Sequence, residues 1–147
     1  MSAEKGRPIR TAQELSAALK KASGGETFVL DHGNYGALQI RKAFRKPVTL
    51  RSASAKTPAC FTKFQLKGAE NITLDGLVFD YTYSTGDRDA VNMFSIQNSH
   101  KITLSNSVFD GDHNRGVGHG RGLLIKNSSS VELSRTIFRK WWKAVVG

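Results

Sequence analysis

The stretch Phe94-Ser95-Ile96-Gln97-Asn98-Ser99-His100-Lys101-Ile102-Thr103-Leu104 decides how this chain folds. Two apolar positions alternate with polar ones, a short turn follows, and a second alternating pair completes the unit. The same text stands upstream as Phe64-Gln65-Leu66-Lys67-Gly68-Ala69-Glu70-Asn71-Ile72-Thr73-Leu74 and downstream as Leu123-Leu124-Ile125-Lys126-Asn127-Ser128-Ser129-Ser130-Val131-Glu132-Leu133. Leu66, Ile96 and Ile125 are 30 and 29 residues apart, and five residues beyond each closing leucine comes Phe79, Phe109 or Phe138. A repeat of this length marks stacked supersecondary units, and period-2 alternation within each unit makes them strands. The expected fold is all-β, a parallel β-solenoid.

Working outward, Leu38 and Ile40 followed by Val48 and Leu50 form a looser first copy, with a basic loop containing Pro47 expected between the pairs. Gly68, Asn98 and Asn127 share one position just past the inward residue. Glycine and asparagine accept the left-handed conformation most readily, so one sharp corner should recur, with stacked asparagines hydrogen-bonding between coils. Before the strands, Thr11-Ala12-Gln13-Glu14 has capping-box spacing, and Leu15, Ala18, Leu19 and Ala22 line one helical face. Gly24-Gly25 supplies the stop. A helix over 11–23 is therefore expected as a lid on the open end of the solenoid. The chain reads as a single domain over 1–147, with coils over 28–147 that end mid-coil. The segment 139–147, with Trp141 and Trp142, then suggests a fragment, self-association, a stacking partner, or a plug formed by the tryptophans.

The formal net charge is +10 and uneven: residues 1–70 carry 13 Lys/Arg against 5 Asp/Glu, and residues 71–147 carry 9 against 7. Arg41, Lys42, Arg45, Lys46 and Arg51 form the densest run. Such a field attracts polyanions, although a charge run is as readily a solvating face. The single Cys60 excludes an internal disulfide framework and a cysteine-based zinc site. No apolar run is long enough to span a membrane. Met1 to Arg7 lack a signal-peptide pattern, which leaves the compartment open; an extracellular, cell-surface or virion-surface location is expected if a leader has been removed.

Two longer connections, Tyr81 to Asn92 and Gly111 to Gly122, each follow the same repeat unit, so they should emerge on one side, where solenoids often bind. Tyr81 and Tyr83 are candidates for stacking on sugar rings, or for completing the core. Arg88, Arg115, Arg121 and Lys126 are candidates for gripping an acidic substrate. His113 and His119, with Arg115 and Arg121, are the candidates for chemistry: histidine titrates near neutrality, and β-elimination from a uronate needs a base and a neutralised carboxylate. The loop is rich in glycine, a poor support for preorganised catalysis. Asp87, Asp89, Asp110 and Asp112 raise calcium as a ligand, but no loop motif continues, and neither a metal nor any other cofactor is assigned.

The turn Asp31-His32-Gly33-Asn34-Tyr35, the helical lid and the unit Gly68-Ala69-Glu70-Asn71-Ile72-Thr73-Leu74-Asp75-Gly76-Leu77-Val78-Phe79-Asp80 resemble right-handed parallel β-helix repeat proteins, in particular the N-terminal coils of β-helix polysaccharide lyases of the alginate lyase and chondroitinase B type. The resemblance implies a right-handed β-helix of about four to five coils that binds, with or without β-elimination cleavage, an acidic uronate-containing polysaccharide. The lyases' proton-abstracting and calcium-binding residues lie in later coils and have no counterpart here, so no catalytic residue is carried over. The alternative is a non-enzymatic attachment β-helix, such as a phage spike or adhesin segment, assembling through its end. Specific nucleic-acid binding has only charge in its favour, without a recognition motif.

Overall fold

The computed structural model describes residues 6–81, 93–111, 121–139, 141 and 143–146. The chain opens with β1 (Arg7–Ile9), α1 (Ala12–Lys21), β2 (Thr27–Leu30), β3 (Gly33–Asn34) and β4 (Ala37–Ile40). Next come β5 (Ala43–Ser52), β6 (Ala59–Phe61), β7 (Lys63–Lys67), β8 (Glu70–Asp75), β9 (Val78–Asp80) and β10 (Phe94–Gln97). It continues through β11 (His100–Ser105), β12 (Val108–Asp110), β13 (Arg121–Lys126), β14 (Ser129–Ser134), β15 (Ile137–Arg139) and β16 (Lys143–Val146). They form three sheets: β1-β2-β5-β8-β11-β14 (sheet A), β3-β6-β9-β12-β15 (sheet B) and β4-β7-β10-β13-β16 (sheet C). Every pairing is parallel, and from β2 onward the chain visits sheets A, B and C in that order again and again. This is a parallel β-solenoid.

The repeat seen in the sequence is the pairing register. Ile40, Leu66, Ile96 and Ile125 are successive partners in sheet C, as are Leu50, Leu74, Leu104 and Leu133 in sheet A. In sheet B the recurring phenylalanines stack: Phe79 and Phe109 have ring centroids 4.6 Å apart, and Phe109 and Phe138 4.5 Å. Such pairs add about 0.5–1.5 kcal/mol each beyond the area they bury. Tyr81 completes the core rather than facing solvent. It is buried, and its ring stacks on Trp141 with centroids 5.7 Å apart. The Trp141 indole N–H donates to the Phe109 carbonyl at 2.9 Å, so this tryptophan closes inward on the stack.

The corner between sheets C and A follows the glycine/asparagine expectation. Between sheets C and A, Gly68, Asn98 and Asn127 have φ of 64°, 50° and 50°. Between sheets A and B, Gly76, Asn106 and Arg135 repeat the device, with φ of 67°, 50° and 47°. Hydrogen bonds between coils also come from the serines that follow the corner asparagines. Ser99 Oγ accepts from the Ala69 N–H at 3.1 Å and donates to the Gln97 carbonyl at 2.8 Å, and Ser107 Oγ does the same for the Leu77 N–H and the Ser105 carbonyl. Asn106 also bonds between coils itself, its Nδ2 donating to Asp75 Oδ1 at 2.9 Å.

Two further expectations are corrected. The helix does not precede all the strands: β1 comes first and pairs with β2, with Ile9 opposite Leu30. Nor is the segment around Pro47 a loop, because Pro47 lies inside β5, where the register shifts between Ala43 and Val48. A bulge is where a strand tolerates a residue without an N–H. Residues 143–146, taken from sequence as the opening of a further coil, form β16 and pair with β13.

The lid is built largely as expected. Thr11 is the N-cap, accepting from the Glu14 N–H at 3.1 Å, while Glu14 reaches back to the Arg10 N–H at 2.7 Å. Leu15, Ala18 and Ala22 are buried against the end of the core. The helix stops at Ala22, before the two glycines. Its last carbonyls are held from another element: Lys42 Nζ lies 3.4, 3.1 and 2.8 Å from the carbonyls of Leu19, Lys20 and Ala22. A cation is well placed at that negative helix end.

Candidate functional site

Charge is segregated by sheet. The strands of sheet C contain five cations, Lys63, Lys67, Arg121, Lys126 and Lys143, and no Asp or Glu. Sheet A carries five cations against three acids, and sheet B one cation against two acids. In sheets A and B some of that charge is paired internally: Lys101 lies 3.8 Å from Glu70, and Arg139 is 3.0 Å from Asp110. The hydrogen bond that Arg139 donates to Asp110 raises the Arg139 pKa further, so this guanidinium is permanently charged.

Strand alternation sets which residues sheet C presents. Leu38, Phe64 and Phe94 point into the core, so Gln39 and Gln65 face outward, while Ser95 in the same row is buried; Lys67, Gln97 and Lys126 form the next row. Gln39 Nε2 donates to Gln65 Oε1 at 3.0 Å, continuing the ladder across the side chains. Lys63, Lys67 and Lys126 are exposed. Both longer connections run from sheet B to sheet C, from β9 to β10 and from β12 to β13, so they leave and rejoin the stack at neighbouring strands.

At the N-terminal end of this face lies a cleft of about 580 Å³ between α1 and β4. Leu15, Leu19, Leu38 and Ile40 line it, and Lys20, Arg41 and Lys63 add positive charge. No acidic residue contributes to its wall.

Of the residues singled out from sequence, Tyr83, Arg88, His113, Arg115 and His119 lie outside the described residues, as do Asp87, Asp89 and Asp112. Arg121 opens β13, in register with Lys143, and Lys126 ends it. These two stand about 16 Å apart along the strand at the usual rise. Asp110, weighed as a calcium ligand, pairs through one oxygen with Arg139 at 3.0 Å. Among the described residues no group of three or more His, Cys, Asp or Glu comes together. Cys60 is half-buried, and burial followed by the charge of Asp80 pushes its thiol pKa up, so its thiolate is disfavoured.

Sequence reasoning missed Lys63, Lys67, Gln39 and Gln65. A signal existed: the segment before the corner at Gly68, Asn98 and Asn127 carries no acid in any repeat. It becomes visible only when the repeats are laid over one another and charges are summed by column. Among the described residues no helix is long and apolar enough to cross a membrane. No family model, curated protein or solved structure matches the chain.

Proposed function

We propose that this protein is a right-handed parallel β-helix that recognises an acidic, uronate-containing polysaccharide along the outer face of sheet C. The observation that carries the reading is the segregation of charge: one of three faces is wholly free of acid in its strands and presents Lys63, Lys67 and Lys126 beside Gln39, Gln65 and Gln97. Cations at strand intervals suit a repeating anion, and amide side chains suit hydroxyl groups. The connections carrying Arg115, His113, His119, Tyr83 and Arg88 rejoin the stack at this sheet, which makes them the source of any chemistry. β-Elimination would require one of the histidines to take the proton while arginine or lysine neutralises the uronate carboxylate.

The test is binding of alginate, chondroitin, hyaluronan and pectate to the purified chain, with the ultraviolet absorbance of an unsaturated uronate followed with and without calcium. Two double variants control for net charge: Lys67→Glu with Lys126→Glu on sheet C, and Arg45→Glu with Lys46→Glu on sheet A. Binding lost only in the first pair supports the face. Equal loss in both would reduce the interaction to the overall field and overturn the reading. Product formation would add lyase activity; binding without product would define a recognition module.

A second reading has its own observation. Among the described residues the large exposed apolar side chains are Leu133 (37% exposed), Ile137 (56%) and Val145 (45%), one on each of β14, β15 and β16, the last strand of each sheet. Contiguous apolar surface at a strand edge favours association, as an attachment β-helix assembling through this end would need. Light scattering distinguishes the two: self-association abolished by Ile137→Lys supports it, and a concentration-independent monomer removes it.

A further inference from the structure

We infer that the cleft between α1 and β4 is a docking site for an extended acidic peptide, which adds to the solenoid as one more strand beside β4. This inference does not depend on the polysaccharide reading. Among the described residues β4 is the terminal strand of sheet C, with no strand on its outer side. The other two N-terminal edges are blunted: β1 has three residues and contains Pro8, and β3 has only two. Proline and short length are the usual protections against edge pairing. β4 has four residues, with neither proline nor charge. An edge left open in this way presents main-chain donors and acceptors to an incoming strand.

The side walls select the peptide. Leu38 and Ile40 of β4 and Leu15 and Leu19 of α1 give the cleft an apolar interior, and Lys20, Arg41 and Lys63 give it a cationic rim. Lys42, also in the wall, is already committed to the α1 carbonyls. An extended peptide alternates its side chains between two faces, so a sequence alternating apolar and acidic residues places one set inward and the other on the rim. The cleft's volume of about 580 Å³ falls within the range of ordinary binding pockets. A second copy offering its own edge strand β16 would bring Lys143 to a cationic rim, which electrostatics opposes. An acidic partner segment meets no such opposition.

The experiment is fluorescence anisotropy of a labelled hexapeptide, Glu-Val-Glu-Val-Glu-Val, with the full chain. Saturable binding is expected, weakened about tenfold or more by Arg41→Glu with Lys63→Glu, and absent for the same peptide with valine replaced by serine or glutamate by lysine. Both substituted residues are exposed, and circular dichroism checks that the variant keeps its fold. A hexapeptide methylated at alternate main-chain nitrogens tests the strand pairing itself. If it binds as tightly as the parent, main-chain addition is wrong. Absence of binding by the parent peptide overturns the proposal. So does displacement of the parent by an oligoglucuronate together with unaltered binding of the methylated peptide, which would assign the cleft to the sugar-binding face.

Discussion

Replacing Ser99 by alanine isolates what holds one coil to the next at a corner. Ser99 is fully buried (0% exposed), as is its donor neighbour Ala69 (1%). The hydroxyl accepts from the Ala69 N–H at 3.1 Å and donates to the Gln97 carbonyl at 2.8 Å. Alanine removes a single oxygen, so a packing defect is a minor contribution. The dominant cost is an orphaned main-chain N–H where water has no access, about 1–3 kcal/mol. The equivalent residue one coil on, Ser128, accepts from the Ser99 N–H at 3.1 Å but is only partly buried. The N–H it would orphan belongs to the buried Ser99, but loss of a partly buried hydroxyl lets water reach that N–H, so Ser128→Ala should cost less than Ser99→Ala, about 1 kcal/mol. Urea unfolding followed by circular dichroism, compared at unchanged m, reads both values. Equal costs below about 0.5 kcal/mol would refute the argument; the main-chain ladder alone would then hold the corners.

Other substitutions probe different levels of the fold. Ile96→Ala, at a fully buried row, should cost about 2–5 kcal/mol, and Ile125→Ala, in the same row but half-buried, distinctly less; equal costs would argue against the burial gradient along the stack. A Cβ on Gly122 would collide with the Ala144 carbonyl, so Gly122→Ala should detach β16, seen as faster amide exchange over residues 143–146 with β10 and β11 still protected. Glu26 accepts main-chain hydrogen bonds from Ser23 and Gly24, which hold its pKa below the usual carboxylate range. Its stabilising effect is therefore complete above the unfolded-state pKa of about 4.3 and is lost as pH falls through the lower folded value. Glu26→Gln should lower the unfolding midpoint at pH 7, and the gap from the parent should close on acidification; a gap that widens toward acid would contradict the assignment.

How much of this was legible beforehand depended on distance along the chain. Ile40, Leu66, Ile96 and Ile125, with Phe79, Phe109 and Phe138, announce inward rows because strand alternation and a recurring interval are properties of the text itself, and the structure pairs these residues as the interval implies. The left-handed corner at Gly68, Asn98 and Asn127 was readable for a similar local reason: few residues tolerate that backbone; the one at Gly76, Asn106 and Arg135 was not, since arginine gives no such signal. β1 was not, since three residues including a proline hold no periodicity, and it becomes a strand only because β2 offers an edge. The corner serines were overlooked because the adjacent asparagines already accounted for the turn; which side chain faces the neighbouring coil depends on how the coils stack.

The same division applies to the candidate site. A net charge of +10 is fixed by composition. Its gathering on sheet C depends on β4, β7, β10, β13 and β16 becoming neighbours, although each is separated in sequence from the next by an entire circuit through sheets A and B. The cleft depends on α1 and β4 meeting across the intervening β2 and β3, with Lys42 securing the helix end. Local sequence specifies a strand and its inward face, because those follow from the backbone pleat. Only the stacking of coils decides what the outward faces share, because an exposed side chain is constrained by nothing until another element lies beside it.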